Sequence, residues 1–83
     1  MATLNITYDG RSGSVMVGNT VTDVDVRMIA AEVMRYGSLP ELHFPKILAS
    51  DLDSFVVDRF QDDGKTTIYL RPRVPFGEQD HEM

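Results

Sequence analysis

Gly77 is the residue of this chain best suited to chemistry done by another protein. It closes the run Arg71-Pro72-Arg73-Val74-Pro75-Phe76-Gly77, just before a polar stretch, Glu78 to Met83. A glycine has no Cβ, so a neighbouring active site can bring a metal, a nucleotide or a thiol against its carbonyl without a clash. Pro72 and Pro75 hold their own φ near extended values and bias Arg71 and Val74 the same way, so the approach to Gly77 is expected to project as a ribbon. Arg71, Arg73 and Phe76 are the candidate side chains by which a partner would recognise this tail. The plainer reading is an ordinary frayed end after the last strand.

Other chemistry-bearing residues lack the spacing that catalysis requires. His43 lies in the proline-rich loop and His81 in the terminal tail, and neither has a histidine or carboxylate partner at i+3 or i+4 on a helix to suggest a metal face, so His43 reads as a partly exposed loop residue. Asp62-Asp63-Gly64 lacks the spaced oxygens and closing Glu of a calcium loop and reads as a turn. Asp23 and Asp25 stand where a helix start favours negative charge. No serine sits in a nucleophile elbow, and Gly10 with Gly13 lacks the lysine of a phosphate loop. No cofactor, metal site or enzymatic activity is expected. Cysteine is absent, which excludes a thiol nucleophile and a disulfide framework.

The 83 residues bound the chain to one domain with a modest core, and a charged share of 25% with a hydrophobic share of 42% fits a folded domain. Thirteen acidic against eight basic residues give a net charge of -5 with no Lys/Arg cluster. Electrostatic binding of nucleic acid or of an anionic membrane is therefore not expected, and proteins are the expected partners. Met1 to Asn5 shows no basic region followed by an apolar run, and no stretch approaches the roughly 20 apolar residues of a membrane span, so a cytoplasmic location is expected.

The elements that would carry Gly77 are legible as patterns. Leu4, Ile6 and Tyr8 alternate with Asn5 and Thr7 across a strand from Thr3 to Tyr8. Asp9-Gly10 is a turn, extended by Arg11-Ser12-Gly13, before a second strand, Ser14 to Val17. Thr22 with Asp25 forms a capping pair for a helix from Asp23 to Tyr36, which Gly37 ends. Val26, Ile29, Ala30 and Val33 are its expected buried stripe. Pro40 and Pro45 interrupt the stretch 38–54, where a loop with one helical turn near Lys46 to Asp51 should tuck leucines and Phe44 under the sheet. Phe55 to Phe60 and Thr66 to Arg71 are strands about a turn over Gln61 to Lys65.

A two-layer α+β arrangement of one helix on one face of a four-stranded sheet buries every apolar face in this order of elements. The simplest closure places the first strand beside the last, in parallel, at the middle of a mixed sheet; a four-stranded antiparallel meander uses the same elements. Tyr69 then falls on the outer face beside Arg71, and Met16 falls opposite Val15 and Val17, so both are candidates for a binding surface.

The order hairpin, helix, irregular connection and hairpin, with Ile68-Tyr69-Leu70-Arg71-Pro72-Arg73 running toward Gly77, resembles the ubiquitin-like β-grasp, and most nearly the prokaryotic ubiquitin-like modifiers. The resemblance implies a single domain over residues 1–77, extended from 72, with 78–83 as a polar tail. It implies partners: an adenylating enzyme and, in some systems, a zinc-dependent JAB-type peptidase. Gly77 would become the reactive terminus once Glu78 to Met83 is removed, and its carboxylate would pass to a thiol and then an amine supplied by the enzymes and acceptor. The chain departs from the family pattern with one glycine where two are common and with prolines in the tail. A non-catalytic interaction domain, an accessory protein of a phage or an operon, is the other reading.

Overall fold

The computed structural model describes residues 1–73, and residues 74–83, Phe76 and Gly77 among them, lie outside the described residues. The chain forms β1 (Ala2–Tyr8), β2 (Arg11–Val17), α1 (Asp23–Tyr36), two 3-10 turns (Pro40–Leu42 and Ala49–Leu52), β3 (Val56–Asp62) and β4 (Lys65–Arg71). The four strands make one sheet in the order β2-β1-β4-β3. β4 runs parallel to β1, with Leu4 beside Ile68 and Ile6 beside Leu70, and antiparallel to β3. The protein is therefore an α+β domain with a mixed sheet and one helix, and the meander alternative is excluded. Among the described residues no helix is long and apolar enough to cross a membrane.

Both hairpins close more tightly than the composition of their turns suggests. Asp9 and Gly10 take φ values of 53° and 78°, and Asp63 and Gly64 take 55° and 77°. A two-residue turn left-handed at both positions matches the twist of the strands it joins, so pairing resumes at once. Tyr8 pairs with Arg11 and Asp62 with Lys65. Arg11-Ser12-Gly13, expected in the turn, are thus strand residues, as are Gln61, Asp62 and Lys65. Their small or polar side chains suit strands that border solvent, which is why composition alone mistakes them for loop. At Gly13 the missing side chain also makes room, since a Cβ there would stand 2.9 Å from Leu39 Cδ1.

α1 keeps the expected bounds. The Thr22 hydroxyl accepts from the Asp25 N–H, the Thr22 N–H donates to the Asp25 carboxylate, both at 3.1 Å, and Gly37 closes the last turn at φ 74°. Thr22→Ala is expected to lower stability by about 1 kcal/mol, read as a shift of the urea midpoint with an unchanged slope. The buried stripe, however, is rotated from the expected one. Val26, Ala30, Ala31 and Met34 are buried, while Ile29 and Val33 pack only at the margin of the core. The two alanines let the helix axis come close to the sheet, so the contact line follows i, i+4 and i+8 from Val26 through Ala30 to Met34.

The core lies between α1 and the inner sheet face, where Ala2, Leu4, Ile6, Ile68 and Leu70 are fully buried. The connection from 38 to 55 closes one side of this layer with Leu42, Ile47 and Leu52. Two short 3-10 turns replace the single helical turn expected over 46–51. The second is capped by Asp51, whose carboxylate accepts from the Leu48 N–H at 2.9 Å. Two helix arginines hold the connection in place: Arg27 donates to the carbonyls of Leu52 and Phe55 at 2.9 and 2.8 Å, and Arg35 to that of Ile47 at 3.0 Å.

Candidate functional site

The strand that leads to Gly77 occupies an interior lane, and its alternation sorts its side chains between core and solvent. Ile68 and Leu70 point into the core, whereas Tyr69 and Arg71 stand on the outer face, which no other element among the described residues covers. Arg71 lies beside Asp58 of β3 and donates through Nε to its carboxylate at 3.0 Å and through Nη2 to the same oxygen. Arg71 is thus placed in a cross-strand ion pair at the end of the sheet, half-exposed. Such a pair contributes at most about 1 kcal/mol at a solvated surface, so its main consequence is to orient the Arg71 side chain toward β3 at the end of β4. Arg73 is exposed and is the last described residue; Phe76 and Gly77 follow it outside the described residues.

Across the outer face, pairing aligns residues in rows. Met16 lies beside Thr3, Thr3 beside Thr67, and Thr67 beside Phe60; in the next row Ser14, Asn5, Tyr69 and Asp58 are neighbours. Met16 is 58% exposed and Phe60 57%, and they flank a floor of hydroxyl and amide groups. Phe60 meets Tyr69 edge to face, with ring centroids 5.6 Å apart. The two proposed surface residues, Tyr69 and Met16, therefore share one face but stand two strands apart. Phe60 is the member that the sequence reading missed. Its signal was present: Phe60 has the parity of Asp58 and opposes Val57, so a strand with Val57 inward places Phe60 outward.

These groups suit contact with another macromolecule. Aromatic rings and methionine adapt to a partner's apolar surface, while threonine, serine and asparagine offer hydrogen bonds of either sense. Asn5 already donates to the Ser14 hydroxyl at 3.4 Å. His43 stands apart on the connection, exposed and packed against Gly37. Among the described residues no group of three or more histidine and carboxylate side chains comes together as a metal site. The fold and this face define a class: a small α+β domain with one sheet face roofed by a helix and the other left open by the described residues. Comparison with family models, with curated proteins and with solved structures finds no match.

Proposed function

We propose that this chain is a ubiquitin-like modifier or carrier of the β-grasp type, acting in the cytoplasm through Gly77. The observation that carries this reading is the position of β4. It is an interior strand, parallel to β1, and the two residues that follow it, Pro72 and Arg73, leave the sheet exposed to solvent. A tail rooted in an interior strand is held firmly at its base, so a partner enzyme can pull on it or thread it without peeling an edge from the domain. A JAB-type peptidase removes Glu78 to Met83, and an adenylating enzyme joins the freed Gly77 carboxylate to the α-phosphate of ATP with release of pyrophosphate. A thiol of that enzyme then displaces AMP, and an acceptor amine displaces the thiol. The chain itself, lacking cysteine, supplies only the acyl group.

Mass spectrometry of the protein isolated from its native host tests the reading: a species ending at Gly77, or higher-mass adducts joined through it, is the expected result. Only intact chains ending at Met83, with no adducts, would overturn it. The open outer face with Met16, Phe60 and Tyr69 favours a second reading, a non-catalytic interaction domain. Capture of a partner that survives deletion of residues 74–83, and is lost with Tyr69→Ala, would select that reading instead.

A further inference from the structure

β2 and β3 border the sheet, and the two borders are protected very differently. A border strand carries a row of main-chain N–H and C=O groups without partners, and proteins blunt such rows with charges, prolines, bulges or covering segments. β3 is blunted. Arg59 shares the inward row of Ile68 and pairs with Asp23 at 2.8 Å, while Asp58 and Asp62 add charge along the same strand. β2 has none of these devices beyond Arg11 at its start: it is seven residues long, contains no proline and pairs with β1 residue for residue, without a bulge.

The hairpin register fixes which groups stay open. Tyr8 and Arg11 flank the two-residue turn and exchange main-chain hydrogen bonds, and antiparallel pairs alternate from there, so Arg11, Gly13, Val15 and Val17 bond to β1. Ser12, Ser14 and Met16 therefore turn their N–H and C=O groups away from the sheet. All three residues are exposed, and among the described residues no main-chain hydrogen bond reaches them from that side. They also open the longest stretch of the sequence without a charged residue, Ser12 to Thr22.

We propose that a second copy of this chain pairs on this border, β2 against β2 in antiparallel, about a two-fold axis at Ser14. Two features favour a copy over a foreign strand. The first is charge. Each chain carries a net -5, so two copies repel wherever their acidic surfaces meet, and β2 is the approach that avoids this. On the outer face the neighbours of Ser14 are Asn5 and Tyr69 and those of Met16 are Thr3 and Thr67; the first carboxylate along these rows is Asp58, on the far border. On the helix side Glu41 lines a small pocket together with Arg11, which is opposite in charge. The second feature is self-complementarity, which an interface between identical patches requires. With Ser14 opposite Ser14 of the second copy, Ser12 falls opposite its Met16, Gly13 opposite its Val15 and Arg11 opposite its Val17. The open main-chain groups are then satisfied in reciprocal pairs, the branched Val15 lies against a bare glycine, and no like charges face each other. The two sheets become one, with both helices on the same side. Pairing of one short strand buries less than the roughly 1,200 Å² of a standard interface, so the dimer is weak and depends on concentration.

The dimer goes beyond the modifier reading and stands without it, since β1 separates this border from β4 and the pairing involves no conjugation.

Analytical ultracentrifugation and NMR of the full-length protein, from about 10 μM to about 1 mM, test it. The weight-average mass is expected to rise from that of one chain toward that of two, while the amides of Ser12, Ser14 and Met16 shift and exchange more slowly as concentration increases. Ser14→Lys sets two ammonium groups side by side at the axis, so its mass should stay that of one chain throughout, with an unchanged urea midpoint. Ser14→Pro removes an N–H that points away from the sheet and should do the same. A wild-type protein that remains a single chain at the highest concentration would overturn the dimer and leave the border to a strand from another protein. Amides protected equally at every concentration would overturn it as well, because one chain would then cover its own border. So would a dimer that survives both substitutions, which would place the contact elsewhere. Failure here leaves the mass-spectrometric test of Gly77 unaffected, because that measurement reads the covalent end of the chain and not its assembly.

Discussion

Met34→Asp is expected to unfold the domain, while Ile29→Asp, five residues earlier on the same helix, leaves it folded. Met34 is fully buried in the layer between α1 and the sheet, whereas Ile29 lies at the margin. Losing the methionine's burial forfeits about 1.5–3 kcal/mol, and an unpaired carboxylate in its place adds roughly 3–5 kcal/mol. Together these approach the whole stability of a chain this size, about 4–12 kcal/mol at 0.05–0.15 kcal/mol per residue. At position 29 the carboxylate reaches water past the rim of the core, and the loss should be about 1–2 kcal/mol. Circular dichroism with urea titration distinguishes the two outcomes. A Met34→Asp variant that melts cooperatively near wild type would show that the helix is seated on another face.

Arg27→Ala should be the most damaging change to a charged residue in the described fold. Its guanidinium donates to two carbonyls, those of Leu52 and Phe55, at the point where the connection returns to the sheet. Hydrogen bonds from a charged donor contribute about 1.5–3 kcal/mol each, and partial exposure here reduces that, so a combined loss of about 2–4 kcal/mol is expected. The loss should be local as well as global. Amide exchange should accelerate in the connection, at Ile47, Asp51, Asp53 and Phe55, whose N–H groups bond to nearby carbonyls. Arg27→Lys should recover less than half of the effect, because a single ammonium cannot span both carbonyls in the fork geometry. Unchanged exchange and an unchanged urea midpoint in Arg27→Ala would remove this role. By contrast, the exposed Arg59–Asp23 pair at 2.8 Å ties β3 to the start of α1 at a solvated surface, where such pairs contribute little.

Much of this architecture is written in local patterns. The helix bounds follow from Thr22, Asp25 and Gly37, whose side-chain or backbone chemistry acts within a few residues. The strands follow from alternation, and both hairpins from an Asp-Gly pair. The parallel placement of β4 beside β1 was also legible, because the two most apolar strand faces, Leu4-Ile6 and Ile68-Leu70, bury most area when adjacent at the centre. The rotation of α1 was not legible. Ile29 and Val33 are larger and more apolar than Ala30 and Ala31, yet close approach of the helix favours the small residues at the contact line. Nor was the role of Arg27 and Arg35, which composition assigns to a solvated face while the fold turns them toward main-chain carbonyls.

The candidate site divides in the same way. Tyr69, Arg71 and Met16 are outward by parity, and the structure bears this out; Gly77, Phe76 and the end of the tail lie outside the described residues. That Phe60 joins Tyr69, and that Met16 and Phe60 bracket one row, depends on register between strands distant in sequence. That Phe44 and Ile47 of the connection come to line one groove with Tyr8 of β1 depends on the path of the connection. Sequence by itself determined which segments become helix and strand and which side chains alternate inward, because capping, turn and periodicity forces act over a few residues. Only the tertiary structure decided how far the helix turns on its axis, what the two arginines hold and which side chains share a row on the outer face, because those depend on packing volumes and on pairings between residues dozens of positions apart.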